Sequence, residues 1–130
     1  MDSKVEYWFG IADYDFETAK VMLRGERYLY VGFMCHQTIE KALKAIIARD
    51  CADEDIPPKI HHLLKLAERS GLLAVMSVEQ VAFIKRLNQL NIEARYSEYK
   101  EAVVAGLNTE ICLELLAGTE DLLCWIKQRL

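Results

Sequence analysis

The residues best suited to chemistry lie in a polar segment, residues 88–99, set among apolar stretches of the chain. Asn88, Asn91 and Arg95 are spaced at i, i+3 and i+7, so a continuous helix would stack them along one face. The Arg95 guanidinium is suited to phosphate oxygens, and the Tyr96 ring offers a face on which a base can stack. The segment therefore indicates phosphate binding together with base stacking.

A structural role for Arg95 is the alternative. The guanidinium would then pair with Glu40 or Glu93 inside the fold and fix the position of a helix. The two interpretations predict different results for Arg95→Ala. Loss of a fully buried ion pair lowers stability by up to about 3–5 kcal/mol, whereas loss of a surface phosphate site leaves stability nearly unchanged.

Histidines form two further groups. His36, Glu40 and Lys44 form an i, i+4, i+8 row, but two ligand types one turn apart are too few for a metal site. We expect this row to be a solvated face or an inter-helix salt bridge. His61 and His62 point about 100° apart if helical, so at most one of them serves a given site.

Complete catalytic motifs are missing from the sequence. It contains no Gly-rich phosphate loop, no GxSxG and no HExxH. We therefore predict no catalytic residue, no metal and no cofactor.

Helices must position these residues, because the 130-residue chain has only two prolines and six glycines and shows no strand-like alternation. The patterns predict helices over about 3–25, 28–49 and 60–70, a fourth from Ser77 and a last from Thr109. Ser77 with Gln80 forms a capping box, and Thr109 is expected to cap the last helix. The expected fold is all-α: a single domain, residues 1–130, built as an up-and-down antiparallel bundle of four long helices plus one short helix.

Composition limits the function classes and the compartment. Hydrophobic residues make up 52% of the chain, and the formal net charge of -4 disfavours bulk binding of duplex nucleic acid. We expect no signal peptide and no membrane span. The four cysteines form no CxxC pair, and Cys35 and Cys112 occupy apolar helical positions as buried thiols would. The expected location is the reducing cytoplasm.

Aromatic residues surround the first predicted helix and indicate a further buried face. These aromatic residues are Tyr7, Trp8, Phe9, Tyr14 and Phe16. Their excess over what one core-facing side needs predicts a homodimer or a hetero-partner.

Five motifs, taken in order, resemble the HEPN family of small helical bundles, which are often encoded beside minimal nucleotidyltransferases. The first helix carries Trp8, Ala12, Asp15, Ala19 and Leu23 in the family's pattern. After Tyr28, residues 35–45 (CHQTIEKALKA) are similar to the family's C-Q-Q-x-x-E-K-A-L-K-A, and residues 61–63 (HHL) to its H-x-L. Residues 91–96 (NIEARY) resemble the EARYP box, with Ser97 in place of proline, and residues 125–127 (WIK) resemble its ending. The resemblance covers nearly the whole chain.

The resemblance implies a bundle that dimerises around the helices bearing these polar residues. Some members are RNases with an Arg-x4–6-His motif, in which the Arg holds the scissile phosphate and the His transfers a proton. Here no histidine follows His62, so Arg95 lacks that partner. His61 could take the place of the missing histidine only if the fold brings it near Arg95, because its position in the sequence does not fit the motif.

Other members of the family bind nucleotides or pair with a nucleotidyltransferase in toxin–antitoxin-like two-chain systems. The sequence fits that group, so we predict a non-catalytic subunit that binds a nucleotide or RNA, or a transferase acting in trans. The rival interpretations are an RNase toxin and a purely structural dimeric adaptor. The predicted ligand-binding residues are Arg95, Tyr96 and Asn91, with Lys41, Lys44 and His61 as second choices.

Overall fold

A computed structural model of the chain describes residues 3–51, 57–91, 101–102 and 105–130. The elements in these residues are helices, and no strand occurs among them, which confirms the all-α prediction for the described part. The α-helices are α1 (Ser3–Arg24), α2 (Tyr28–Asp50), α3 (Leu63–Ser70), α4 (Val78–Asn88) and α5 (Thr109–Lys127), with a 3-10 turn at Leu73–Val75.

Helix α1 buries the apolar stripe that its sequence pattern predicts. The stripe recurs at three- and four-residue steps, so it faces one side of the helix. The chain leaves the helix at Gly25, as predicted, and Glu26 takes a positive φ of 58° in the turn to α2. The buried residues of the stripe are Val5, Phe9, Ala12, Phe16 and Ala19.

Helix α2 lies at the centre of the fold and packs against α1, α3, α4 and α5. More than half of its residues are buried, because neighbours surround it on several sides. The row of His36, Glu40 and Lys44 is therefore buried, so the first alternative, a solvated face, is wrong. The second alternative, a salt bridge, is nearer to the structure, because Glu40 pairs with Lys44 within α2 and with His61 in the loop before α3. The sequence misleads here because polar residues at helical spacing normally mark a surface.

Contacts at the helix ends define the direction of neighbouring helices. Lys4 Nζ donates to the carbonyl oxygen of Cys51 at 3.4 Å, so the start of α1 lies beside the end of α2. The Tyr28 and Thr109 hydroxyls are 2.6 Å apart, which joins the starts of α2 and α5. Helices α1 and α2 thus run in opposite directions.

Two predicted caps have different outcomes. Ser77 and Gln80 form the predicted capping box, with both reciprocal hydrogen bonds present. Thr109 is not the cap of α5, because Asn108 precedes the helix and its side-chain oxygen accepts from the Ile111 amide at 2.8 Å. The Thr109 hydroxyl instead contacts Tyr28.

Helix α4 ends earlier than the apolar pattern indicates. It stops at Asn88, and the Gln89 and Leu90 amides then bond to carbonyls three residues back, which tightens the chain into a turn. Asn91 lies beyond the helix, so Asn88 and Asn91 do not share a helical face as predicted.

The four cysteines are free thiols. Cys35 and Cys112 are buried, as their apolar positions predict, and burial raises the pKa of Cys35 to about 12. A thiol of that kind stays protonated and acts as a small apolar side chain. Among the described residues, no helix is both long and apolar enough to cross a membrane.

Candidate ligand site

The Glu40 carboxylate is the centre of a polar cluster built on α2. It is about 1% exposed. Its Oε1 accepts a hydrogen bond from His61 Nδ1 at 3.0 Å, and its Oε2 accepts one from Lys44 Nζ at 3.1 Å. Lys41 Nζ lies 3.7 Å from Oε2. We call Glu40, Lys41, Lys44 and His61 the Glu40 cluster.

Surrounding cations keep Glu40 ionised despite its burial. Burial by itself would raise the pKa of this carboxyl. The charges of Lys44 and Lys41 and the hydrogen bonds from His61 and Lys44 outweigh burial, so the pKa is lowered. The cluster therefore contains a fixed negative charge at neutral pH.

Lys41 connects the cluster to α1. Its Nζ lies 3.9 Å from Asp15 Oδ2 as well as near Glu40, and both Lys41 and Asp15 side chains are largely buried. The pKa of Asp15 is raised, mainly because the carboxyl is partly buried. The charge of Lys41 opposes this rise, and the charge of Glu40 adds to it. Two carboxylates thus face two ammonium groups, and the charges in this part of the site nearly cancel.

His36 supports the cluster from within the core. Its Nε2–H donates to the backbone carbonyl oxygen of His61 at 3.1 Å, which fixes the chain just before α3. Burial lowers the pKa of His36 although Glu40 acts in the opposite direction, so the ring is neutral at pH 7. His36 is therefore a positioning residue for the backbone of His61.

His61 is the part of the cluster that solvent reaches best, since its side chain is 52% exposed. Glu40 accepts from Nδ1–H, and this hydrogen bond sets the ring orientation and the tautomer. Nε2 is left without a partner among the described residues, and in this tautomer it can accept a hydrogen bond or a proton from a ligand.

The Lys44 side chain, unlike that of His61, is buried. Its side chain is 6% exposed, its Nζ bonds to Glu40, and it lies 5.7 Å from the centroid of the Trp8 ring. An ammonium group so placed neutralises Glu40 and is poorly accessible to a ligand. Among the second-choice residues, His61 is the accessible one, and Lys41 is exposed over only 16% of its side chain.

The polar segment begins next to this cluster. Asn88 Oδ1 accepts from the Leu63 amide at 3.1 Å, which joins the end of α4 to the start of α3, two residues after His61. Asn91, three residues further along, is buried. Arg95 and Tyr96 lie outside the described residues. The structure thus brings Lys41, Lys44 and His61 together and places Asn91 three residues beyond the end of α4.

The sequence presents His36 only as a member of the polar row on α2, and Glu40 as a member of that row and as a possible partner of Arg95. Their burial depends on the central position of α2, which the periodicity of one helix does not reveal. The sequence feature that could have pointed to both side chains is the signature at residues 35–45, because it contains His36 and Glu40.

Comparison with known proteins gives the family and the fold of this chain. The model of the HEPN domain family matches residues 5–129, and the chain belongs to this family. A crystal structure of TT1696 from Thermus thermophilus is similar, with a TM-score of 0.77 and 19% identity over 99% of this chain and 100% of the other. That similarity concerns the fold. The search of curated proteins gives no match.

Proposed function

We propose that this HEPN-domain protein is a non-catalytic subunit that binds the phosphate of a nucleotide or RNA beside the Glu40 cluster. Arg95 holds the phosphate, Tyr96 and Asn91 lie beside it, and His61 and Lys41 form the opposite rim. In this proposal the chain is an up-and-down antiparallel bundle of four long helices and one short helix. It acts in the cytoplasm as a homodimer.

The observation that carries the proposal is the hydrogen bond between Asn88 and the Leu63 amide. It holds the start of the polar segment against the loop that carries His61. Arg95 follows Asn91 by four residues, and four residues of chain span at most about 14 Å. That length of chain allows the proposed arrangement, in which Arg95 and the exposed imidazole of His61 contact the same phosphate group.

The partners of Glu40 also support a ligand role for Arg95. Both carboxylate oxygens already accept hydrogen bonds, from His61 and from Lys44. A further cation is not needed to compensate the buried charge, which argues against Arg95 serving mainly as an ion-pair partner of Glu40.

A nucleotidyltransferase acting in trans is the partner that we propose, in a toxin–antitoxin-like two-chain system. The chain carries the Arg95–Tyr96 box but no transferase motif of its own. A pull-down with the tagged chain from its native cells should recover a transferase. Recovery of none would remove this part of the proposal and leave ligand binding to be tested separately.

Isothermal titration with ATP, GTP and a short RNA tests ligand binding. We expect binding by the wild type and a loss of at least about tenfold in affinity for Arg95→Ala, because a charge-assisted phosphate contact is removed. Arg86→Ala is the matched control, since Arg86 is exposed and lies at 3.5 Å from Glu114. Absence of binding by the wild type at millimolar ligand would contradict the proposal.

RNA cleavage is the second candidate function, and the His61–Glu40 hydrogen bond favours it. An imidazole whose Nδ1–H is held by a carboxylate can accept a proton at Nε2 from an attacking hydroxyl group. In this interpretation His61 replaces the histidine that the motif after Arg95 lacks. It predicts RNA cleavage in the presence of EDTA and growth arrest on overexpression, both abolished by His61→Ala and by Arg95→Ala. Intact RNA after incubation with the wild type would dismiss it.

A further inference from the structure

A groove lies on the outer side of α3, next to the loop that carries His61. Its volume is about 300 Å³, and Ile60, Lys65, Glu68 and Arg69 line it. We call these four residues the α3 groove. The volume is at the lower end of the range for pockets that bind small organic groups. Ile60 directly precedes His61 in the chain, so the groove adjoins the candidate ligand site.

The charged side chains of the α3 groove are exposed and have no ion-pair partner among the described residues. Lys65 and Arg69 are one helical turn apart, about 6 Å along the axis, so they lie on the same side of α3. Glu68 is the only acidic residue in the sequence between positions 57 and 78. The acidic residues 53–55 lie outside the described residues. The groove therefore presents two positive charges and one negative charge that the described fold does not use.

The chemistry of the α3 groove matches the parts of one nucleotide. Lys65 and Arg69 suit the oxygens of a phosphodiester, and Ile60 offers an apolar surface to a base. The Glu68 carboxylate is a hydrogen-bond acceptor, so it requires a donor from the ligand. The amino group at position 4 of cytosine is a donor that protein carboxylates recognise. An acidic peptide fits less well, because its carboxylates repel Glu68 and give it no donor.

We infer that the α3 groove binds one nucleotide of a single-stranded RNA, beside the phosphate at His61, and that Glu68 makes it prefer cytosine to uracil. Lys65 and Arg69 hold the phosphodiester, and Ile60 contacts the base. Glu68 accepts from the cytosine amino group, whereas uracil places a carbonyl oxygen there and leaves the carboxylate without a donor. The inference rests on RNA as the ligand of the proposed function. A mononucleotide would occupy only the site at His61.

Fluorescence anisotropy with labelled oligocytidylate and oligouridylate of equal length tests the role of Glu68. We expect the wild type to bind oligocytidylate at least about fivefold more tightly. Glu68→Gln should remove this preference, because a side-chain amide can accept from cytosine or donate to uracil. Glu79→Gln is the matched control, since Glu79 is an exposed carboxylate on α4, and it should keep the preference.

The salt dependence of RNA binding tests the two cations. Lys65→Ala with Arg69→Ala should lower the affinity for oligocytidylate at least about tenfold. The slope of log affinity against log salt should become shallower by about 1.4, since each phosphate contact to a single strand contributes about 0.7. Lys85→Ala with Arg86→Ala removes the same charge from exposed positions of α4 and should leave the slope unchanged. The affinity for ATP, which occupies the site at His61, should be unchanged in both double variants.

Three results would overturn the inference. They are equal wild-type affinities for the two RNAs, equal losses of affinity in the two double variants, and tighter binding of a polyglutamate peptide than of RNA. Binding of ATP without binding of either RNA would also overturn it, while leaving the nucleotide site of the proposed function intact. Absence of binding by ATP, GTP and RNA would overturn both. Circular dichroism of the variants verifies that these exposed substitutions leave the helices formed.

Discussion

Glu40 illustrates how a single buried carboxylate organises residues that are distant in sequence. It contacts Lys44 one turn away on α2 and His61 in the loop before α3. Through Lys41 it is also coupled to Asp15 on α1. Burial of such a charge is tolerated only while its partners remain, so the cluster fixes the relative positions of α1, α2 and the loop.

Glu40→Gln should therefore destabilise the fold strongly. The substitution keeps the side-chain volume but leaves the ammonium of Lys44 buried without its counter-charge. We expect the free energy of unfolding at pH 7 to fall by about 3–5 kcal/mol, as for other buried pairs that lose one partner. Urea denaturation measures it, with Glu17→Gln as control because Glu17 forms only an exposed pair with Lys20. A loss below about 1 kcal/mol, as for exposed pairs, would show that the cluster is not a buried ion pair in solution.

The pH dependence of stability should identify the same carboxylate. The pKa of Glu40 in the folded chain is lowered from 4.5, so its contribution to stability is present above pH 4.5 and is lost as pH falls through the folded pKa. The difference in unfolding free energy between wild type and Glu40→Gln should accordingly shrink between pH 5 and acidic pH. Denaturation curves at several pH values measure that difference. A difference that stays constant over the range would contradict the assignment.

At the scale of elements, the sequence predicts what local rules determine. The apolar stripe of α1, the capping box at Ser77 and the end of α3 at residue 70 follow from side-chain spacing and backbone preference, and all three are present. Helix α4 ends at Asn88, before the helical stacking of Asn88 and Asn91 that their spacing indicates, and the Asn88 side chain accepts from the Leu63 amide, a contact between residues 25 positions apart. Contacts of that kind are absent from any local pattern.

The cap of α5 offers a direct test of two adjacent residues. Asn108→Ala removes the acceptor for the Ile111 amide and should lower stability by about 1 kcal/mol. Thr109→Ala keeps that cap and loses only an exposed hydroxyl contact with Tyr28, so its effect should be smaller. Thermal unfolding of the two variants compares them. A larger loss for Thr109→Ala would contradict the assignment of Asn108 as the cap.

Packing of α5 against α4 depends on Gly118. A Cβ at this position would lie 2.6 Å from the Phe83 ring, so Gly118→Ala should destabilise the chain by about 1–3 kcal/mol through overpacking. Phe83→Leu in the same chain should recover part of the loss by removing the ring. The double-mutant cycle measured by urea denaturation gives the coupling. Additive effects of the two substitutions would contradict close contact between the residues.

For the whole molecule, the family and the helical class follow from the sequence, whereas the arrangement of the site does not. The signature at residues 35–45 contains His36, Glu40, Lys41 and Lys44. It does not show that the Lys44 side chain is buried and bonded to Glu40. That arrangement arises from the central position of α2 and from the loop before α3 that brings His61 to Glu40. Accessibility of the predicted ligand residues is thus a property of the assembled fold.

Ligand binding at the proposed site should stabilise the entire fold. A nucleotide that binds only the folded chain adds about 2.7 kcal/mol at a concentration 100 times its dissociation constant. In a domain of this size that corresponds to a rise in Tm of roughly 10 °C. Arg95→Ala should abolish the rise without lowering the Tm of the free chain, because the proposed Arg95 contact is with the ligand. A lower Tm for the free Arg95→Ala chain, with no nucleotide-dependent rise in the wild type, would instead favour the structural adaptor. Differential scanning calorimetry with and without ATP or GTP separates the two results, with Arg86→Ala as the control that should retain the full rise.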